Sequence, residues 1–129
     1  MTLVRQYFDD PRLAGLDLSD SWLMGFVFEQ GHAIRLFCDF HLTREHPEWA
    51  PSDEAESFAC YRRGSIILRG CKSVALETDS PFPGDLDGFD CDTMDRFEIH
   101  DTFVKIETNC LKFEIHTTDF AVELDRVES

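Results

Sequence analysis

The chain is poor in positive charge. Twelve lysines and arginines stand against twenty-six aspartates and glutamates over 129 residues, a net charge of −14. Direct binding to nucleic acid needs a basic patch for phosphate contacts, and an anionic membrane surface repels a chain of this sign. No run of about 18 apolar residues occurs, so no membrane-spanning helix is encoded. The opening stretch, MTLVRQYFDDPRL, lacks the apolar centre of a secretory signal, which sets the expectation of a cytoplasmic protein. Cys38, Cys60, Cys71, Cys91 and Cys110 include no Cys-x-x-Cys pair. An odd number of cysteines in a chain expected to stay in the cell argues for buried reduced thiols over disulfides. There is no Gly-x-Ser-x-Gly elbow, no glycine-rich phosphate loop and no readable Cys-His arrangement. No catalytic residue, metal set or cofactor is therefore assigned.

What the chain does have is a large apolar share, 43%, with twelve phenylalanines. That is enough to bury a core in one domain spanning 1–129. The apolar residues alternate. In the last third, placing Asn109–Cys110 in a tight turn sets Ile106 opposite Phe113 and Val104 opposite Ile115, with Glu107 opposite Lys112 and Lys105 opposite Glu114. A turn at Asp101–Thr102 pairs Phe97 with Ile106 and Arg96 with Glu107. A turn at Thr117–Thr118 pairs Ile115 with Phe120 and Lys112 with Glu123. Both faces are satisfied at once, and a slip of one residue would carry charges into the core. The expectation is a four-stranded meander over about 96–125.

Earlier, Trp22, Met24, Phe26 and Phe28 alternate toward Ile34, Leu36, Cys38 and Phe40. This predicts a hairpin about Gly31 with Trp22 opposite Phe40. Residues 57–77 predict one or two further strands, with Gly64 and Gly70 at bulges or bends. Residues 2–8 predict a short helix before Pro11. The fold class is mainly β: antiparallel sheets meeting as a sandwich or a partly closed barrel.

Two long connections hold most of the charge. Residues 44–57 carry one arginine and five acids, and residues 79–95, DSPFPGDLDGFDCDTMD, carry six aspartates and no base. The second run is not an EF-hand. Counting from Asp85, Phe89 falls at the fifth position and Asp90 where glycine belongs. A solvated acidic loop is the commoner meaning of such a run. Its aromatic neighbours add a docking reading, since aromatics carry much of the energy of protein contacts. Asp85, Asp87, Phe89, Asp90, Asp92 and Trp49 are thus the candidate partner-binding residues, and a basic protein is the expected partner. As structure, Trp49, Phe82 and Phe89 would instead pin their loops to the body, the reading favoured for Phe82. Among the histidines, Asp39 shares a strand face with His41, and Glu98 shares one with His100. Neither pair has a third ligand at a recognisable spacing.

The stretches DSWLMGFVFEQ (20–30), IRLFCDF (34–40) and YRRGSIILRGCKSVAL (61–76) resemble a layout found in small bacterial β-proteins, some of them grouped with the immunity proteins of toxin systems. The resemblance covers about half the chain. It implies a single-domain, non-catalytic protein that binds and neutralises a cognate toxin, and it transfers no site residues. The acidic loops, read by themselves, suit a basic partner, for instance a toxin that acts on nucleic acid. The alternative from another class is a small β-barrel enclosing a ligand, or an enzyme with its site in that cavity.

Overall fold

The computed structural model describes residues 4–49, 60–78, 91–108 and 111–125. Among the described residues ten strands are formed: β1 (Arg5–Gln6), β2 (Leu16–Glu29), β3 (Ala33–Leu42), β4 (Cys60–Leu68), β5 (Val74–Thr78), β6 (Cys91–Thr93), β7 (Arg96–Ile99), β8 (Val104–Glu107), β9 (Leu111–Ile115) and β10 (Phe120–Leu124). They make two five-stranded sheets that do not close into a barrel. One, the ladder sheet, has the order β1-β7-β8-β9-β5, and the other, the hairpin sheet, has the order β10-β4-β3-β2-β6. Every pairing is antiparallel.

The sheets are held face to face by one core. The ladder sheet contributes Phe97, Ile99, Val104, Ile106, Leu111, Phe113 and Ile115, and the hairpin sheet contributes Leu23, Ile34, Leu36, Phe40, Ile66, Leu68 and Phe120. Edge-to-face rings cross the interface, with Phe26 and Phe113 centred 5.2 Å apart and Phe97 and Phe120 5.7 Å apart. Each such pair adds about 0.5–1.5 kcal/mol beyond its buried area. Among the described residues no helix is long and apolar enough to cross a membrane.

The ladder sheet has the register that its charges dictate. Arg96 pairs with Glu107, Phe97 with Ile106, Ile106 with Phe113, Glu107 with Lys112 and Lys105 with Glu114. The His100 N–H donates to the Phe103 carbonyl at 2.8 Å and closes the Asp101–Thr102 turn. The turn expected at Asn109–Cys110 lies outside the described residues.

The fourth strand of the expected meander is elsewhere. β10 crosses to the hairpin sheet, where Phe120 pairs with Leu68 and Glu123 with Ser65. The vacated edge of β9 is taken by β5, with Leu76 opposite Phe113 and Glu77 opposite Lys112. The row of alternating sign thus reads Arg96, Glu107, Lys112, Glu77. The crossing is fixed by the buried Thr117, whose hydroxyl donates to the Arg69 carbonyl at 2.6 Å, while the Arg69 N–H donates to the Asp119 carbonyl at 2.8 Å.

The expected helix over 2–8 is also corrected. Arg5–Gln6 pairs with β7, and only single 3-10 turns follow, at Tyr7–Asp9 and Pro11–Leu13. Proline disfavours helical geometry in the residue before it, and Asp10 is accordingly extended at φ −101°, ψ 125°. Residues 57–77 do contain two strands, one in each sheet. Gly70 sits at the bend between them with φ +65°, whereas Gly64 lies within β4, at no bend.

Candidate functional site

β2 does not alternate throughout. Phe28 pairs with Ile34 and Phe26 with Leu36 as expected, but Trp22 pairs with Asp39 because the register shifts by one between Leu23 and Gly25. The shift puts Leu23 in the core and turns Trp22 and Met24 outward. A larger irregularity lies between Asp17, which pairs with His41, and Trp22. There three extra residues, Ser19 to Ser21, bulge from the strand. The fully buried Ser21 staples the bulge: its hydroxyl donates to the Asp17 carbonyl at 2.6 Å and accepts from the His41 N–H at 2.9 Å.

The bulge folds Asp20 back over β3. His41 Nδ1 lies 3.2 Å from Asp20 Oδ2 and 3.6 Å from Asp17 Oδ2. The His41 ring stacks on Tyr61 at 5.1 Å, and the Tyr61 hydroxyl donates to Asp20 Oδ2 at 3.3 Å. Asp17 Oδ1 accepts from the hydroxyls of Ser19 at 2.6 Å and Tyr7 at 3.3 Å. Burial works against ionising Asp17, but these two hydrogen bonds and the nearby His41 outweigh it and hold the carboxyl below its usual range. Burial and the same carboxylates push the Tyr7 and Tyr61 phenols upward.

Asp17, Asp20 and His41 form a rim around an aromatic face. On the outer side of the hairpin sheet, Trp22, Met24, Val27, Phe37 and Tyr61 are all exposed. On the same side, by register, lie Asp39 and Arg63 beside Trp22, Arg35 beside Val27, and Glu29 and Glu123, with Asp17 opposite His41 at one end. Arg35 is engaged by Glu29 at 3.1 Å and Glu123 at 3.4 Å. The outer side of the ladder sheet is different in kind: it is charged and self-neutralising, with Arg96 Nε 2.9 Å from Glu107 Oε2.

Of the candidates read from the sequence, Asp85, Asp87, Phe89 and Asp90 lie outside the described residues, as does Phe82. Asp92 lies in β6, a strand within what reads as a continuous acidic loop, and Met94 next to it is buried. β6 pairs with β2, Thr93 opposite Trp22 and Cys91 opposite Leu23. Cys91–Thr93, the described part of that run, thus form the edge strand beside β2. Trp49 is half-buried against the core, with the Arg44 guanidinium 5.6 Å from its ring centre. Asp39 does not join the His41 cluster; Asp17 and Asp20 do. The second expected pair is present, His100 Nε2 lying 3.4 Å from Glu98 Oε1. Comparison with protein-family models, curated proteins and solved structures found no match.

The two sheets stay open, so no closed barrel is formed. An open groove of about 590 Å³ is lined by Phe28, His32, Cys71, Lys72 and Val74. Its charged side chains are one lysine, Lys72, and one carboxylate, Glu29.

Proposed function

We propose that this chain is a non-catalytic binding module that docks a basic protein, in the manner of an immunity protein capping a toxin that acts on nucleic acid. The docking surface is the outer face of the hairpin sheet. The observation that carries this reading is the contrast between the two faces. One neutralises its charges pair by pair, while the other exposes Trp22, Met24, Val27, Phe37 and Tyr61 inside an acidic rim. Several exposed apolar side chains on one sheet face favour an interaction site, and tryptophan and tyrosine are the side chains that anchor one. A second copy of the chain is a poor occupant, because each copy brings a charge of −14. A basic partner is attracted by the rim and by the aspartates of 79–92.

The test is capture from a lysate of the cells that encode the chain, with wild type and Trp22→Ala/Phe37→Ala as parallel baits. The reading requires a basic protein held by the wild type and lost from the double variant. Equal retention by both baits, or capture of an acidic protein alone, contradicts it.

A further inference from the structure

We infer that Asp17, Asp20 and His41 form a binding site for a divalent transition cation of the zinc class. The site needs no part of the docking reading. Three donor atoms, two carboxylate oxygens and one imidazole nitrogen, all lie within 4.8 Å of one another. Among the described residues, His41 Nδ1 is a solvent-excluded side-chain nitrogen that makes no well-formed hydrogen bond and whose near neighbours are the two carboxylates. The nitrogen faces two carboxylate oxygens, and a cation held between all three atoms satisfies every one of them.

The spacing supplies one. Zinc holds nitrogen and oxygen ligands at about 2.0–2.2 Å in a tetrahedron, which puts neighbouring ligand atoms about 3.3–3.6 Å apart. His41 Nδ1 stands 3.2 Å from Asp20 Oδ2 and 3.6 Å from Asp17 Oδ2. Two carboxylates and a neutral imidazole balance a dication. Calcium is disfavoured, since it takes six to eight oxygens, and magnesium keeps an oxygen octahedron. Imidazole among carboxylates suits zinc and its neighbours.

The surroundings hold the ligands as metal sites require. Ser19 and Tyr7 occupy Asp17 Oδ1, which leaves Oδ2 turned to His41. Tyr61 stacks on the imidazole and donates to Asp20, and Ser21 fixes the His41 backbone. Outer partners of this kind orient the ligating groups. Three protein ligands leave a fourth position for water or for a partner's side chain.

The experiment is a zinc titration of the full chain, followed through the ring-nitrogen resonances of its five histidines. Saturable movement of His41 Nδ1 at one equivalent is expected, without a response to millimolar calcium. Asp20→Asn should weaken binding by at least about tenfold. Asp20 is exposed in the bulge, so this variant remains informative even where His41→Ala does not fold. His100→Ala should bind as wild type does. Zinc that moves other histidines instead, binds Asp20→Asn undiminished, or fails to bind overturns the assignment.

Discussion

The backbone carbonyl of Glu123 occupies the space that a Cβ on Gly64 would need, and the Phe40 ring closes the same space from within the core. Glycine is required there because β10 lies tight against β4. Gly64→Ala must push the two strands apart, and overpacking of this kind costs about 1–3 kcal/mol. The expected result is a melting temperature several degrees lower, with the ladder sheet's amides still protected in hydrogen exchange at temperatures where β10 has opened. Unchanged stability would mean that the β4–β10 contact is looser than described.

Lys112 sits between Glu107 and Glu77 in the ladder row. Lys112→Glu sets three acids side by side. Each opposed pair is worth about 0.2–1 kcal/mol, so chemical denaturation should show a modest loss that shrinks at high salt. A loss insensitive to salt would locate the effect in packing.

Asp10 is buried and gripped by Arg12, Nε on Oδ1 at 2.9 Å and Nη2 on Oδ2 at 2.7 Å. Arg12 also donates to the Thr118 carbonyl and lies 3.6 Å over the Phe120 ring, tying the opening turns to β10. The Arg12 hydrogen bonds hold the Asp10 carboxyl below its usual value despite burial. A depressed folded-state pKa gives stability that is full above the unfolded pKa and lost as pH falls through the folded one. Asp10→Asn should therefore cost about 2 kcal/mol near pH 7. The gap to wild type should narrow in acid. A gap that stays constant down to pH 2 would contradict the pairing.

Cys38 is buried among the core side chains, and burial pushes its thiol far above the usual range. The thiolate is the reactive form. Iodoacetamide at pH 8 should leave Cys38 unmodified in the native chain and alkylate it in guanidinium, as read by peptide mass.

Why some of this was legible in the sequence and some was not follows from the pleat. Over 96–115 the outward charges alternate in sign from strand to strand, so only one register satisfies both faces. For Phe120–Leu124 the same alternation fits β9 and β4 equally, since both offer an apolar inner face. Thr117 and Asp119 decide between them through hydrogen bonds to Arg69, 48 residues away from Thr117. The Asp17–Asp20–His41 cluster was hidden for a related reason. Same-face spacing pointed to Asp39, whereas the partners of His41 lie on another strand, Asp17 directly opposite it and Asp20 in the bulge that follows. The legible trace of that bulge is the break in period at Ser19-Asp20-Ser21, between Leu18 and Leu23, both of which point inward.

The central claim is that the aromatic face of the hairpin sheet, and not the charged ladder, carries binding. Once the captured partner is purified, its dissociation rate from immobilised chain tests this directly. Trp22→Ala/Phe37→Ala should release the partner at least about tenfold faster, the loss of a hot-spot pair. Asp85, Asp87, Asp90 and Asp92 changed together to asparagine should instead slow association and flatten its salt dependence. Lys105→Ala on the ladder sheet should match wild type in both. A double variant that releases its partner at the wild-type rate, or a Lys105→Ala chain that releases it faster, would place the docking surface elsewhere.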